Sequence, residues 1–519
     1  MDLFKGKFLK IILGILVLAS FLRFYNLGEK PFVADEFLGV NTVYGYLQTG
    51  EWLRWDFNLE KPYDDKPYFK TIFDLDLWGG GEKTYTRAWI HNWQIATSLE
   101  FLPDAKEWSY RMVSAIWGVL GVLIIYIVSV KMTGRKAIGI ISAILLAVSI
   151  DSIEFSRKVR MYIMFMPVFL LFSYFAFKFL ESKRKSASET ISKLKEKTGL
   201  NFLYFIPAFL FAFLSMHLHL LTANFAFILL VYFLAMGILS YRKNNKIKSK
   251  YLSYTVLLLF LGWAMSFFSK AFLAGLTWEN HFSYLEKSFA DYSNPFLAIG
   301  LILAGIYYLL KTKTKEGVFI ASSYLTILLG SIFLWDRSAG SQYLFFAKPF
   351  QVILISAGIL FIAMFLKNNL KKYANKTYIF SILIILLILP NFTYFFQEEN
   401  TYTQTSSSPN PSYGKVFAYF TREKEKGDVL ISRNFRNFYW RGSHTKTYSL
   451  GGERAGEKEK KLTKERLLNI LKKNSSGWII YSENDENFIS KEAEIIIEEN
   501  LEEVSNSSVR GPISIYRWR

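Results

Sequence analysis

The sequence predicts an α-helical polytopic membrane protein with about 11 membrane-spanning helices and a C-terminal soluble α/β domain on the outer face of the membrane. Three observations predict this fold class. Of the 519 residues, 51% are hydrophobic and 18% are aromatic, a load that soluble surfaces rarely carry because exposed aromatic side chains associate. The apolar residues form runs that approach the roughly 20 residues needed to cross a bilayer. Lysine and arginine cluster between those runs, as expected for cytoplasmic connections.

The predicted spans alternate with basic connections. Lys5, Lys7 and Lys10 precede the first apolar run, which places the N-terminus in the cytoplasm. No small-residue cleavage pattern follows that run, so we interpret it as a retained first span. Two spans then fit between each successive pair of basic clusters. The predicted spans are 8–27, 111–130, 137–155, 158–180, 201–218, 220–240, 251–272, 295–310, 317–335, 343–366 and 377–397.

Two large segments fall on the outer side in this topology. The first is the loop 28–110, which belongs to a transmembrane domain of residues 1–397 and is rich in tryptophan and carboxylates. The second is a domain of residues 412–519 that follows a polar linker, 398–411. Short apolar runs and segments of helical period alternate in that domain. The predicted helices are 413–425 and 457–473, and the predicted strands are 428–432, 478–482, 493–497 and 513–518.

Charge and cysteine content exclude several functional classes. The formal net charge is +19, but the basic residues lie between spans, which indicates membrane topology and anionic lipid rather than nucleic-acid binding. The chain has no cysteine, which excludes disulfides and thiolate chemistry. Few predicted spans carry ionisable residues, although a buried transport path would need them. Polar residues gather instead at outer helix ends and in the first outer loop.

The sharpest local feature is the adjacent pair Asp35-Glu36, which follows Pro31 shortly after the first span. Two carboxylates at the membrane surface can divide their roles, one acting as an ionised base and the other orienting a partner. An ordinary pair of solvated loop carboxylates is the alternative interpretation. Asp65 and Lys66 form a second cluster in the same loop, where the lysine could meet a phosphate or simply belong to a charged surface.

Cations at the outer ends of predicted spans form a second group of candidates. Arg111 opens the second span and either snorkels or pairs with a loop carboxylate. Arg157 and Arg160 open the fourth span against the positive-inside bias, so they require a specific partner such as a lipid phosphate. Lys348 lies within the tenth span, where an unpaired cation is costly. A carboxylate, a phosphate or the interface would be its partner.

Two histidines and two further outer-end residues complete the candidates. His217 and His219 end the fifth span, and a spacing of two places them on different helix faces. Joint metal ligation would therefore require extended backbone, and a role as polar lining is favoured over metal binding. Tyr162 begins the fourth span after the cations, and Arg337 lies near the outer end of the tenth. Both are predicted to support the site.

The order of these motifs resembles that of the GT-C type polytopic glycosyltransferases that use polyprenyl-phosphate sugars. That group includes the protein O-mannosyltransferases and the lipid A aminoarabinose transferases. The motifs cover roughly the first half of the chain, and topology and the outer tail cover the rest. Two positions depart from the pattern. A tyrosine follows Pro67 where some relatives have a second proline, and protein mannosyltransferases tend to carry an aspartate near the position of Tyr162. The matching motifs are Pro31…Asp35-Glu36, Lys66-Pro67, Glu107-Trp108-Ser109-Tyr110-Arg111 and Ser156-Arg157…Arg160-Met161-Tyr162.

The resemblance implies that Asp35 is the catalytic base and that Arg111 supports the loop by pairing with Glu36. The resulting hypothesis is an inverting glycosyltransferase of the plasma membrane, which moves a hexosyl or pentosyl group from a polyprenyl-phosphate donor to a lipid, protein or glycan acceptor at the outer face. The expected phosphate ligands are Lys66, Arg157, Arg160 and Lys348, and these fixed cations leave no requirement for a metal or other cofactor.

Two other classes compete with the enzyme hypothesis. A transporter or flippase of lipid-linked glycans is the first, although transporters tend to show repeated halves and broken helices, and neither is expected here. A structural subunit that displays the outer domain is the second. It would leave the cations at 157–160 without a role.

Overall fold

The structure is a computed structural model that describes residues 6–63, 88–102, 106–184, 188–268, 281–335, 340–369, 377–389, 392–451 and 461–519. Contacts between residues divide the chain into two compact units that do not follow chain order. The first outer loop and the C-terminal residues belong to the same unit. We call the two the helical unit (Met1–Phe24, Ser114–Arg157, Met161–Tyr394) and the sheet unit (Tyr25–Val113, Lys158–Arg160, Phe395–Arg519).

Helices dominate the described chain before the C-terminal residues. They are α1 (Lys7–Phe24), α2 (Ala34–Thr49), α3 (Trp89–Glu100), α4 (Glu107–Thr133), α5 (Lys136–Ala147), α6 (Ile150–Ser156), α7 (Tyr162–Glu181), α8 (Glu189–Thr198), α9 (Phe205–Leu218), α10 (Phe225–Asn244), α11 (Ser249–Phe268), α12 (Ser283–Phe289), α13 (Pro295–Thr312), α14 (Thr314–Phe333), α15 (Lys348–Asn369) and α16 (Thr377–Ile388).

Several of these helices can cross a membrane. Among the described residues, six helical segments are long and apolar enough, and two bent pairs raise the number to eight if each pair is one span. The chain is therefore a multi-pass membrane protein. The other predicted spans correspond to α1, α11 and α16, so the count of about 11 stays a prediction.

The segment 137–155 is bent and is not one straight helix. Helices α5 and α6 meet there at a bend of 61°. Ser149 caps α6 by accepting the Ser152 N–H at 3.1 Å, and the Asp291 carboxylate accepts hydrogen bonds from the Ser149 hydroxyl and the Asp151 N–H. The expectation of unbroken helices was wrong, because a partner that stabilises the break comes from a distant part of the chain. The single span over 137–155 stays a prediction.

Arg23, a fully buried residue of α1, stabilises the other side of this break. Its guanidinium donates to the carbonyls of Leu146 and Ala147 at 3.2 and 3.0 Å and to the Ser152 hydroxyl at 2.8 Å. A cation at the carbonyl end of a helix satisfies its last acceptors and the helix dipole. Gly118 leaves room for this side chain, since a Cβ there would lie 2.7 Å from Arg23 Nε.

Glycines bring the backbones of α13 and α15 together. A Cβ on Gly305 would lie 1.9 Å from the carbonyl oxygen of Leu354, and one on Gly358 would lie 2.0 Å from that of Leu301. Small residues allow this close approach where dispersion contacts, rather than water, drive helix association.

The sheet unit contains a hairpin and a five-stranded sheet. The sheet has the order β4-β3-β5-β7-β6, in which β3 is parallel to β4 and β5, and β7 is antiparallel to β5 and β6. Apolar side chains of α17 cover one face, and those of α18 and α19 cover the other. The elements are β1 (Trp55–Asp56), β2 (Lys61–Pro62), α17 (Tyr413–Glu423), β3 (Val429–Ser432), β4 (Thr447–Ser449), α18 (Lys464–Lys473), β5 (Gly477–Ser482), α19 (Lys491–Asn500), β6 (Glu502–Glu503) and β7 (Ile513–Trp518).

Most elements of this α/β region agree with the predictions, but the predicted strand 493–497 is part of helix α19. Its isoleucine run suggested a strand because β-branched residues favour sheets. Ser490 instead caps a helix by accepting the Ala493 N–H, and Ala493 and Ile497, four residues apart, both face the core. Of the predicted helix 457–473, the described part is helical from Lys464. The location of this region on the outer face stays a prediction.

Candidate active site

A tight turn in the sheet unit presents the Asp35-Glu36 pair. Val33 is extended, and α2 begins immediately after it. The Glu36 carboxylate turns back to accept the Val33 N–H at 3.0 Å, which closes the turn and satisfies one of the free amides at the helix start. Both carboxylates therefore lie in the first turn of α2, where the helix dipole favours negative charge.

Glu36 is fully buried, and both of its oxygens are engaged. Arg111 binds it bidentately, with Nε 2.9 Å from Oε1 and Nη2 2.8 Å from Oε2. The Val159 N–H donates to Oε1 at 2.8 Å. Together with the bond from Val33, the carboxylate accepts four hydrogen bonds, which fully occupies its acceptor capacity.

Arg111 uses its remaining donors on the backbone before α2. Its Nη1 donates to the carbonyls of Leu27 and Lys30 at 3.2 and 2.8 Å, and its Nη2 donates to that of Pro31 at 2.9 Å. The structure therefore has the Arg111–Glu36 pair that the resemblance implies, and it fixes the chain on both sides of the turn. Such a pair is stable when buried because every lone pair and proton finds a partner.

Asp35 has the opposite environment. Its side chain is 63% exposed, and it pairs with Arg160, whose Nη2 lies 3.5 Å from Oδ2. Arg160 also donates to the Asp35 carbonyl at 3.2 Å. The sequence predicted Arg157 and Arg160 at the start of the fourth span, but α7 begins at Tyr162, so both lie in the turn that follows α6.

Two further residues near Arg160 had no signal in the sequence. His91 of α3 is buried, and this burial, together with the charge of Arg160, lowers its pKa to about 4, so the imidazole is neutral at physiological pH. Gly39 allows the turn to approach α2, since a Cβ there would lie 3.2 Å from Val159 Cγ1 and 3.9 Å from the Asn92 amide oxygen. The close approach of α2, α3 and the turn after α6 is evident only in the folded chain.

Lys348 lies in a separate cluster inside the helical unit. Its ammonium is 2.9 Å from Asp291 Oδ2 and 3.7 Å from Asp151 Oδ2, and it lies over the ring of Tyr292 at 5.0 Å. The lysine and Asp291 are both almost fully buried. The sequence allowed a carboxylate, a phosphate or the interface as the partner of this cation. In the structure its neighbours are carboxylates.

The other predicted residues of the helical unit have partners outside that cluster. Arg157 is buried and donates to the Arg23 carbonyl at 3.1 Å. Tyr162 packs against His219, with ring centroids 5.5 Å apart. His219 has extended backbone, and its Nδ1 accepts the Leu221 N–H at 3.1 Å.

His217 packs on Phe213 at the end of α9, with ring centroids 4.2 Å apart. Within the described residues, no three His, Asp or Glu side chains are grouped to hold a metal ion. Asp65, Lys66 and Arg337 lie outside the described residues, so their predicted roles stay predictions.

An apolar groove opens between α10, α13 and α14 in the helical unit. Its volume is about 740 Å³, and its lining is almost entirely apolar, with Leu230, Ile306, Leu325 and Trp335 among the lining residues. A groove of this character suits a hydrocarbon chain.

Comparisons with known proteins match the chain by structure and not by sequence. No family model matches it, and no characterised protein matches its sequence. ArnT from Cupriavidus metallidurans, a lipid A aminoarabinose transferase, is similar in its apo state with a TM-score of 0.57 and 11% identity over 98% of this chain and 97% of that chain. Its complex with undecaprenyl phosphate gives 0.59 and 10% over the same shares.

The archaeal oligosaccharyltransferase AglB from Archaeoglobus fulgidus is also similar. Its complex with an inhibitory peptide and a dolichol-phosphate gives a TM-score of 0.58 and 11% identity, covering 92% of this chain and 70% of that chain. Both neighbours have the GT-C fold, so the predicted GT-C architecture is confirmed. At this level of identity, the likeness establishes the fold.

Proposed function

We propose that this chain is a membrane glycosyltransferase that moves a sugar from a polyprenyl-phosphate donor to an acceptor hydroxyl or amide. The observation that carries the proposal is the division of environments within Asp35-Glu36. Glu36 is saturated by four hydrogen bonds, whereas the Asp35 side chain is 63% exposed beside Arg160. Asp35 is the carboxylate that can take a proton from an acceptor, and Glu36 is a positioning residue.

The leaving phosphate requires a cation near the base. Arg160 meets this requirement because it lies beside Asp35 and remains partly exposed. Its guanidinium can bind phosphate oxygens in a forked geometry and stabilise the charge that develops on them. Lys66 and Arg157 stay candidates for the same role on the basis of the sequence. We propose that these fixed cations serve the phosphate without an obligatory metal or other cofactor.

We assign Lys348 a different role from the one first predicted. Two carboxylates already surround its ammonium, so the cluster of Lys348, Asp291 and Asp151 carries a formal net charge of −1. A phosphate would have to displace these carboxylates while meeting that negative charge. We therefore propose that Lys348 is an internal counter-ion at the break between α5 and α6.

The donor's hydrocarbon chain would occupy the apolar groove between α10, α13 and α14. Two of the neighbours support a lipid-linked donor, since one binds undecaprenyl phosphate and the other a dolichol-phosphate. The acceptor can be a lipid, a protein or a glycan. Basic connections place the N-terminus in the cytoplasm and the C-terminal region outside the plasma membrane in this proposal.

The chemical step is a single displacement. The acceptor oxygen or nitrogen attacks the anomeric carbon while Asp35 takes its proton, and the bond to the phosphate oxygen breaks with its electron pair remaining on the phosphate. The anomeric configuration inverts. No second nucleophilic carboxylate is required, unlike in a retaining glycosidase, which agrees with the engagement of Glu36 by Arg111.

The experiment is a donor panel. Membranes that contain the wild type, Asp35→Asn or the exposed control Glu29→Gln are incubated with labelled polyprenyl-phosphate sugars and crude envelope extract, and loss of sugar from the lipid is measured. We expect one donor to be consumed by the wild type and by Glu29→Gln, but not by Asp35→Asn. Intact donors in all three samples would sink the assignment of Asp35.

A transporter or flippase is the second candidate, because of one observation in the helical unit. The broken helix α5–α6 and the buried Arg23, Lys348 and Asp291 are features that transporters use at their binding sites. The two functions give different products. A transporter moves labelled lipid-linked sugar across a vesicle membrane without cleaving it, whereas the enzyme separates sugar from lipid.

A further inference from the structure

The 3₁₀ segment Asn434–Trp440, which belongs to the C-terminal region, packs directly on the turn that presents Asp35. The Phe32 ring is fully buried in this contact. Its centroid lies 5.3 Å from that of Phe438 and 6.4 Å from that of Tyr439.

Tyr439 adds a directed contact to this packing. Its hydroxyl accepts the Phe32 N–H at 2.8 Å and also hydrogen-bonds the Glu107 side chain. The tyrosine is half-buried, and burial raises its pKa well above the ordinary value, so the hydroxyl keeps its proton. One hydroxyl therefore holds the backbone just before the turn and the first residue of α4.

The segment that carries Tyr439 is itself fastened to the first outer loop. Asn58 is buried, and its amide exchanges two hydrogen bonds with the Thr445 backbone, at 2.8 and 2.9 Å. The Gly442 N–H donates to the Phe57 carbonyl at 2.8 Å. These bonds prevent Tyr439 from moving independently of the loop, which is the condition for a supporting residue to fix a site.

We propose that Tyr439 is a positioning residue of the active site, so that the C-terminal region holds the turn on which Asp35 sits. The inference rests on the proposed function of Asp35. Arg111 and Glu36 fix the turn from one side, and the bond from Phe32 to Tyr439 fixes it from the other. Asp35 lies three residues after Phe32 and contacts Arg160 through its carbonyl and its carboxylate, so a shift of the Phe32 backbone passes directly to the reacting carboxylate.

The test compares Tyr439→Phe with Tyr419→Phe in the full-length protein. Both variants lose one hydroxyl from the same unit, but the half-buried Tyr419 ring packs on Trp478, away from the turn. For Tyr439→Phe, we expect kcat for donor turnover to fall about tenfold with donor KM changed less than about twofold, since a small misplacement of a reacting group lowers the rate more than binding. Tyr419→Phe should match the wild type.

Hydrogen exchange gives a readout that does not depend on the reaction. The amide of Phe32 loses its acceptor in Tyr439→Phe, so exchange in the segment 32–38 should accelerate about three- to tenfold, as expected for one lost hydrogen bond. If the wild type turns over no donor, the proposed function fails while this measurement still tests the contact. Unchanged exchange together with kcat equal to that of Tyr419→Phe would overturn the inference.

A double variant distinguishes positioning from general loss of fold. Positioning acts through the carboxylate, so Tyr439→Phe should lower the residual activity of Asp35→Asn less than about twofold. An equal tenfold loss in both backgrounds would show that the hydroxyl supports the fold and not Asp35, and would also overturn the inference.

Discussion

Two clusters of carboxylates and cations, one in each unit, differ in what they leave available. In the sheet unit, Arg111 saturates Glu36, and Asp35 remains exposed beside Arg160. In the helical unit, the cluster of Lys348, Asp291 and Asp151 is almost enclosed, and its hydrogen bonds and ion pairs are made within the protein. The first cluster leaves a carboxylate exposed to solvent, whereas the second pairs its charges with one another beside a helix break.

This difference shows why a charged residue near a membrane helix is an incomplete sign of function. Buried ionisable groups are costly, so each is a candidate for function by default. Arg23 and Lys348 offset that cost with helix-end carbonyls and carboxylates. Asp35 has no such enclosure, and exposure beside a cation is what a base for an incoming acceptor requires.

The largest expected effect separates the two neighbours Asp35 and Glu36. Asp35→Asn should reduce sugar transfer about 10²–10⁴-fold, the usual contribution of a general base, while the thermal unfolding midpoint stays within a few degrees of the wild type. Glu36→Gln should lower that midpoint, because a buried charge pair is broken. Donor turnover and thermal unfolding in detergent measure the two properties. Equal loss of stability in both variants would contradict the division of roles.

The next effect concerns the two arginines. Arg111→Met should reduce the free energy of unfolding by about 3–5 kcal/mol, because it leaves the Glu36 carboxylate buried and unpaired. Arg160→Met is the matched variant, and it should change stability by less than about 1 kcal/mol because its partner Asp35 is exposed to solvent. Chemical denaturation followed by tryptophan fluorescence measures both. A similar loss in the two variants would show that the Asp35 contact is also structural.

Lys348→Met should destabilise the helical unit by about 3 kcal/mol, the lower end of the range for a broken buried pair. Asp291 keeps its hydrogen bonds from Ser149 and Asp151 in that variant, which limits the loss. The double variant Lys348→Met/Asp291→Asn removes the unpaired charge. It should therefore recover more than half of the stability that Lys348→Met loses. Recovered stability with a donor KM still raised several-fold would restore Lys348 as a phosphate ligand.

The sequence predicted those parts of the fold and the site that depend on local pattern. Apolar runs and basic connections predicted the helices, and short apolar runs predicted strands β3, β5 and β7. The order of short motifs pointed to Asp35, Glu36 and Arg111 before any geometry was known. Each of these signals is contained in a few consecutive residues.

The features that the sequence missed depend on contacts between distant residues. The break between α5 and α6 has no proline or glycine, and its stabilising partners, Arg23 and Asp291, lie more than a hundred positions away. For Lys348, the sequence allowed a carboxylate, a phosphate or the interface as the partner, and only the folded chain shows Asp291 and Asp151 beside it. His91 looked like one of many polar residues in the first outer loop, and only its burial beside Arg160 makes it distinctive.

The smallest expected effect is a pH dependence from His91. Its pKa is lowered from 6.5 to about 4 in the folded chain by burial and by Arg160, so the unfolded chain binds the proton first as pH falls. Its contribution to stability is therefore complete above about pH 6.5 and decreases towards pH 4, by at most about 1.4 kcal/mol per pH unit. The thermal unfolding midpoint should differ less between pH 7 and pH 5 for His91→Gln than for the wild type.

His444→Gln is the control, because the His444 side chain is 61% exposed in the same unit. This variant should show the same difference in midpoint as the wild type. An equal pH difference in all three proteins would mean that other groups dominate acid destabilisation and that His91 is not held neutral beside Arg160.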